Sequence, residues 1–257
     1  MQAEGGYRPD WRDAAAYAPL LDADRSYFAW EWLRRDGAYR AAAGAARSRC
    51  AGKHREEPAA ARFGLVAFED PRLAVPQARP LWRLDAHPQV LSVRRGVGTR
   101  PQDQFDIREL SPIATLLAGK HGEHLLLSDG LRAVRLDGPR GAFSAGPSCL
   151  RYLIEGVEAA EPRLLTLRRF LALCRRGSFA RTLHPIEPRA RRWILTLRTW
   201  DALAVGADQR QIARELLSHS VSEPRWRSRE SSVRSQAQRL VRSARLFASA
   251  GYRVLLR

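Results

Sequence analysis

The spacing of hydrophobic residues changes twice along the chain, from helical spacing to short apolar runs and back again. Residues 8–43 place aromatic and alanine side chains at helical intervals, which predicts one helix capped by Asp10 and a second running through 26–35. Five aromatic residues in this segment are too many to be solvent-exposed together. They are Trp11, Tyr17, Phe28, Trp30 and Trp32. We expect them either to form a small core or to pack on the rest of the chain.

The middle of the chain has the pattern of short strands. Apolar or alternating runs at 63–68, 81–84 and 90–93 are separated by proline and glycine. The clearest unit is the pair of runs 124–127 and 131–136, which flank Asp129-Gly130. This dipeptide is a strong hairpin signal, because a primed turn needs positive φ. The sequence therefore predicts a small antiparallel sheet.

Helical spacing returns after Gly146-Pro147. Helices are predicted over 148–157, 162–174, 188–205, 209–218 and 229–248. The stretch 44–61 is small, charged and aperiodic, which is typical of a linker. The fold class is therefore α+β, in four segments. They are a helical segment at 1–43, the linker at 44–61, a β-rich part at 62–146 and a helical part at 147–257.

The last two predicted helices have the features of a helix-turn-helix. Asp208 and Gln211 form a capping-box arrangement that opens a short helix. One face of that helix is apolar and carries Ile212, Ala213, Leu216 and Leu217. A loop with Pro224 and Trp226 follows, and the last helix carries its own apolar stripe. This stripe consists of Val233, Ala237, Leu240, Ala244 and Phe247. Such a face predicts packing against the preceding helices.

The charge of the chain points to a polyanionic partner. The 257 residues include 44 basic and 27 acidic ones, a net charge of +17, and all but two of the basic residues are arginine. Residues 151–257 hold 22 basic and 9 acidic residues, whereas residues 1–150 hold 22 and 18. A positive field concentrated toward one end indicates nucleic acid as the partner.

The face of the last helix opposite its apolar stripe carries the candidate DNA contacts. Ser231, Arg234, Ser235, Gln238 and Arg242 fall within an arc of about 100°. Arginine can bind guanine, glutamine can bind adenine, and serine can contact a base or a phosphate. We assign Ser231, Arg234, Ser235 and Gln238 to base edges, and Arg239, Arg242 and Arg245 to phosphates. Two other interpretations remain open, a plain solvated face and a docking surface for an acidic protein.

Other classes of function lack their motifs. The three cysteines (Cys50, Cys149 and Cys174) lie far apart, so we expect neither a disulfide framework nor a zinc site. His121 and His124 have metal-ligand spacing, but the adjoining strand pattern places them at a loop, and we expect no metal or cofactor. No phosphate-binding loop, nucleophile motif or acidic two-metal cluster is present, so no enzyme is expected. No apolar run approaches membrane-spanning length and no secretory signal is apparent, which predicts a cytoplasmic protein.

Several of these stretches resemble a known family. Residues 211–217, Trp226, the arginine-rich helix and 251–256 resemble the C-terminal helix-turn-helix domain of an uncharacterised proteobacterial family. Residues 9–13 and 29–35 resemble its companion transcriptional regulator-like domain. Such pairs are similar to the excision and transfer activators of integrative and conjugative elements.

The resemblance implies an activator of a mobile genetic element that binds double-stranded DNA. A single helix-turn-helix contacts few bases, so a homodimer, or a partner such as RNA polymerase or another regulator, is expected. The tail at 251–256 is interpreted either as a wing beside the DNA groove or as a docked tail.

Overall fold

The computed structural model describes residues 8–49, 58–98, 100–120, 122–217, 231–249 and 251–257. Within these residues the α-helices are α1 Arg25–Leu33, α2 Gly37–Arg49, α3 Ala160–Arg176, α4 Ala190–Ala204, α5 Gln209–Leu216 and α6 Ser231–Ala248. The strands are β1 Leu91–Gly96, β2 Gln104–Phe105, β3 Ala114–Ala118, β4 Glu123–Ser128, β5 Ala133–Gly138 and β6 Ser148–Leu153. Short 3-10 helices lie at Ala15–Asp22, Pro58–Phe63, Pro101–Asp103, Ile107–Ile113, Arg181–Leu183 and Gly251–Leu256. The α+β class predicted from the sequence is confirmed.

The strands described form one sheet in the order β2-β6-β1-β5-β4-β3. Neighbouring strands run antiparallel except β1 and β5, which are parallel with Leu91 opposite Leu136. The predicted antiparallel sheet is therefore correct for every pair but this one. β1 and β5 are about 40 residues apart in the sequence. A local hydrophobic pattern does not indicate with which distant strand a segment pairs.

The predicted hairpin is present, but its loop is longer than the two-residue primed turn expected. Ser128 is opposite Ala133, which leaves four residues in the loop. The backbone N–H groups of Leu131 and Arg132 both donate to Oδ1 of Asp129, at 2.9 and 2.7 Å. Gly130 has a φ of +94°. The Asp129 carboxylate thus organises a wider turn that still needs glycine.

Two apolar layers cover the sheet. One face of the central strands packs against α3, where Leu125 and Leu127 join Phe170 and Leu173 in the main core. On the other face, the segment before β1 packs on Leu117 and Leu126. This second layer comes from residues predicted as strands. It consists of Val66, Ala67 and Leu81.

The strands predicted at 63–68 and 81–84 are wrong. Phe63 ends a 3-10 helix, and the described part of this region contains only an isolated bridge between Leu65 and Trp82. Prolines at 71, 76 and 80 interrupt the segment. Its apolar side chains are buried against the sheet, so the apolar runs that predict strands occur here without a continuous strand.

The helix predictions are correct where the apolar spacing is long and regular. α1, α3, α4, α5 and α6 all form where helices are predicted. The helix predicted at 148–157 is wrong, because Leu150 and Tyr152 alternate inward on strand β6. The helix predicted from Trp11 is also wrong, since regular structure begins only with the 3-10 helix at Ala15. Residues 44–49 of the predicted linker belong to α2.

The chain divides into two compact units. The helical unit comprises residues 1–37 and 186–255, and the sheet unit comprises residues 38–185 and 256–257. The helical unit is therefore assembled from both ends of the sequence. The segment bounds predicted from the sequence stay predictions. Among the residues described, no helix combines the length and apolar character needed to cross a membrane.

Candidate nucleic-acid interface

The last helix, α6, packs against α4 and α5 through one face of small and branched side chains. Its buried residues are Ala237, Leu240, Val241 and Ala244. Val233 and Phe247 at its ends are half-buried. The predicted stripe is thus present, and Val241 widens it by one residue that the strict four-three spacing left out. This packing fixes which face of α6 points away from the unit.

The opposite face of α6 is exposed and positively charged. The six predicted contact residues whose side chains are described all lie in the exposed class: Arg234, Ser235, Gln238, Arg239, Arg242 and Arg245. Ser231, the seventh, is the first residue of the helix. Within the described part of the chain, none of the four arginines on this face pairs with an acid. Such uncompensated charge suits a polyanionic ligand.

The short helix α5 begins as the sequence predicts. Oδ1 of Asp208 accepts a hydrogen bond from the Gln211 backbone N–H at 2.7 Å, and Oε1 of Gln211 accepts one from the Asp208 backbone N–H at 2.9 Å. This reciprocal capping box satisfies two helix-end donors. Ile212 and Ala213 on its inner face are fully buried, as predicted.

In the sequence, residues 217–230 lie between the end of α5 and the start of α6. The predicted loop at 218–228, with Pro224 and Trp226, lies outside the described residues.

The N-terminal aromatic residues complete the core beneath α6. Trp11 joins Ala202, Ile212 and Val241 in one buried cluster. Trp32 stacks on Phe247, with ring centroids 5.3 Å apart and ring planes 19° apart. Of the two arrangements expected for these aromatics, packing on the rest of the chain is the one observed.

The same residues are anchored to α4 by further aromatic packing. Phe28 meets Trp193 edge to face, with ring centroids 5.1 Å apart. All five predicted aromatic residues have at most 3 % of their surface exposed. The aromatic residues of the N-terminal segment are therefore part of the structure that supports α6.

A buried charge network holds α1 against α4. Asp201 on α4 receives two hydrogen bonds from Arg35, from Nε and Nη2, each at 2.8 Å. It also accepts a hydrogen bond from the Tyr17 hydroxyl at 2.8 Å. Glu31 accepts hydrogen bonds from both Arg34 and Arg35. Carboxylates thus face each of these buried guanidinium groups, as burial of charge requires.

The pKa values in this network follow from burial and charge. Burial raises the pKa of Tyr17, and the neighbouring Asp201 carboxylate raises it further, so the hydroxyl stays a donor. Burial alone would lower the pKa of Arg35, but Asp201 and Glu31 outweigh that effect and raise it. Burial lowers the pKa of Arg34, although Glu31 opposes the change. The Arg35 guanidinium therefore remains charged over the working range of pH.

One arginine of the basic C-terminal half serves the fold instead of a ligand. Nε of Arg198 donates to the Trp11 carbonyl and its Nη2 donates to the Arg12 carbonyl, each at 2.8 Å. Its side chain is buried. Neither this role nor that of Asp201 is predicted from the sequence. The available signal was a lone acid and a lone arginine within the apolar part of α4.

The described residues contain no group of three side chains suited to a metal ion. Nδ1 of His124 lies 2.6 Å from Oδ1 of Asp137, across the β4–β5 hairpin. His121 and Cys50 lie outside the described residues, while Cys149 and Cys174 are free thiols. His124 thus lies on β4, in the run predicted as a strand at 124–127.

Two protein families match parts of the chain. Residues 155–257 match the family described as "T6SS, Transcription factor, DNA binding domain". Residues 10–66 match the family described as "Proteobacterial transcriptional regulator-like domain". A search of the curated proteins found no match. The matched ranges contain α3 to α6 in one case and α1 and α2 in the other.

The two matches support a DNA-binding transcriptional regulator. They place a regulator-like domain at the N-terminus and the DNA-binding domain in the C-terminal range, with DNA as a partner. The arginine-rich face of α6 lies within that DNA-binding range.

Proposed function

We propose that α6 is the recognition helix of a helix-turn-helix and that the chain uses it to bind specific sites on double-stranded DNA. The observation that supports this most is the exposed face of arginine, serine and glutamine without acidic partners among the described residues. At 18 residues α6 is about 27 Å long, which suits the major groove.

The proposed roles follow the position of each residue along α6. Ser231, Arg234, Ser235 and Gln238 belong to the N-terminal half, which enters the groove in a recognition helix. Arg239, Arg242 and Arg245 would contact the phosphate backbone as the helix leaves the groove. These arginines supply affinity, and the residues before them supply sequence preference.

We further propose a non-catalytic activator that acts on DNA in the cytoplasm. A mobile genetic element is the target implied by the resemblance to excision and transfer activators, while the matched family's description names T6SS. A homodimer or contact with RNA polymerase would extend the few base pairs that one helix can recognise. Mapping of binding sites across the genome distinguishes these two targets. Enrichment at genes of a mobile element supports the first target, and enrichment at T6SS genes supports the second.

The decisive experiment is selection of binding sites from a random duplex pool at two salt concentrations. Wild-type protein should enrich a motif, and R234A/Q238A should lose it. The matched control is Arg191→Ala, which removes one exposed arginine from α4 and should keep the motif. Salt-sensitive binding without any motif would overturn sequence-specific recognition by α6. In that outcome the same basic face would serve an acidic protein partner, which is the alternative function.

A further inference from the structure

The excess positive charge is not confined to the unit that carries α6. The sheet unit contains 25 basic and 14 acidic residues, a net charge of +11. The helical unit contains 19 and 13, a net charge of +6. Residues 151–257 are the more basic part of the sequence, but residues 151–185, which carry some of that positive charge, belong to the sheet unit. The function proposed for α6 therefore does not explain the positive charge of the sheet unit.

Two arginines face each other across the sheet. Arg94 on β1 and Arg151 on β6 are directly opposite in an antiparallel pair, and both side chains are exposed. Residues opposite each other in such a pair share one face of the sheet, and like charges at these positions destabilise it. The two side chains, which we call the Arg94–Arg151 patch, thus destabilise the sheet on which they lie.

Neighbouring residues do not neutralise the patch. The flanking pairs on the same two strands are Ser92 with Leu153 and Gly96 with Cys149. Asp137 is opposite Ser92 on the other side of β1, but it is bound by Arg135 and His124. Across the described residues, Arg94 and Arg151 have no ion pair with an acid.

This lack of pairing contrasts with other exposed arginines of the sheet unit. Arg72 pairs with Asp70, and Arg83 pairs with Asp85. Arg108 pairs with Asp106. Arg94 and Arg151 thus belong to those arginines of the described residues whose charge no neighbouring acid compensates.

The backbone leaves room for Arg151 on this face. A Cβ built on Gly96 would lie 3.0 Å from Cγ and 3.3 Å from Nε of Arg151, so the arginine side chain crosses directly over the glycine. The opposite face of β1 and β6 is buried, since Val93 and Leu150 join the core with Phe170 of α3. The patch thus lies on the open side of the sheet.

We propose that the Arg94–Arg151 patch binds the phosphate backbone of duplex DNA without regard to sequence, as a second contact surface in addition to that of α6. Guanidinium groups bind phosphate oxygens in a two-point geometry, and phosphate neutralises the repulsion between the two arginines. The inference rests on the proposed function only in taking duplex DNA as the ligand.

The test compares the salt dependence of DNA binding by full-length variants. Each arginine–phosphate contact contributes about 0.9 to the slope of log affinity against log salt, so R94A/R151A should lower the slope by about 1.8. The matched control R72A/R83A removes the same charge from paired arginines and should leave the slope unchanged. The motif selected from a random pool should be the same for R94A/R151A and wild type.

The outcomes separate this inference from the proposed function. If the slope for R94A/R151A equals that of wild type, the proposed DNA contact of the patch is wrong. The same holds if the control R72A/R83A lowers the slope equally. Neither result affects the function proposed for α6. Loss of the motif in R234A/Q238A with the slope of R94A/R151A reduced supports both. Salt-independent binding by wild type overturns both.

A stability measurement distinguishes the loss of a DNA contact from a defect in folding. Arg151→Thr removes the like-charge pair and places a residue suited to strands, so the thermal midpoint without DNA should rise. Added duplex DNA should raise the midpoint less for this variant than for wild type, because less DNA-binding energy is available. A fall in the midpoint without DNA would assign Arg151 a structural role and overturn the proposal.

Discussion

Arg35 and Asp201 lie 166 positions apart in the sequence and meet in a two-point ion pair inside the helical unit, with 1 % of each side chain exposed. The pair joins the turn after α1 to α4, the helix against which α6 packs. Because the guanidinium fork matches the carboxylate in one geometry only, the pair also fixes how the two helices are placed. Support for α6 thus depends on residues near the start of the chain.

Removing Arg35 should strongly destabilise the protein. Arg35→Ala leaves Asp201 buried without its principal partner, which we expect to reduce the free energy of unfolding by about 3–5 kcal/mol in urea titrations. The control is Arg83→Ala, whose ion pair with Asp85 is exposed and should change it by less than about 1 kcal/mol. Similar losses in the two variants would contradict a special role for the buried pair.

Removing Trp32 should weaken DNA binding without removing a DNA contact. Trp32→Ala deletes the ring stacked on Phe247 of α6, at a cost of about 3–5 kcal/mol in stability. We expect affinity for the selected site to fall in fluorescence anisotropy titrations while the salt slope stays the same. Arg242→Ala should do the reverse, lowering the slope by about 0.9 and leaving stability unchanged. A reduced slope for Trp32→Ala would show that α6 had moved away from the phosphates.

Gly130 is required by both its backbone angle and its surroundings. A Cβ at this position would lie 2.1 Å from the Pro76 carbonyl oxygen, and φ is +94°. Gly130→Ala should therefore cost more than the roughly 1–3 kcal/mol of φ strain alone. Gly146→Ala is the matched control, because its φ is +91° but no atom lies within 4 Å of the added Cβ. Equal losses for the two variants in thermal unfolding would show that Pro76 moves aside without cost.

Asp70 should contribute to stability in a defined range of pH. Burial alone would raise the pKa of this carboxyl, but hydrogen bonds from Arg72 and Arg47 outweigh it and lower the pKa to about 2. A depressed carboxyl pKa stabilises the fold above the unfolded pKa of about 3.9, and the contribution is lost as pH falls toward 2. Asp70→Asn should therefore be less stable than wild type above pH 4, and urea titrations should show the difference shrinking below it. A difference that is constant from pH 6 to pH 2.5 would contradict this assignment.

The sequence predicts the parts of this fold that depend on neighbours along the chain. The capping box of α5 involves residues three positions apart, and the stripe of α6 repeats every three or four residues. Both are local patterns that a helix converts directly into a face. The exposed positions of Arg234 and Gln238 follow from the same periodicity.

Pairings between distant segments could not be predicted in this way. Leu150 and Tyr152 are apolar at an interval that fits a strand, yet the strand forms only because β1 supplies its partner. Arg198 looks like one more basic residue of the C-terminal half, and only the position of Trp11 shows that it is a buried donor to backbone carbonyls. The net charge of each unit likewise depends on which distant segments fold together.

The division of the helical unit between the two ends of the chain has a consequence during synthesis. Residues 1–37 leave the ribosome first, but α4 and α6 follow only after residues 38–185 of the sheet unit have been made. At about 5–20 residues per second, these intervening 148 residues take about 7–30 s to translate. For that time Trp11, Phe28 and Trp32 lack the partners that α4, α5 and α6 provide, because those helices have not yet been made. The face that we propose to bind DNA is therefore complete only when the last helix is released, so that chains truncated before α6 would lack it.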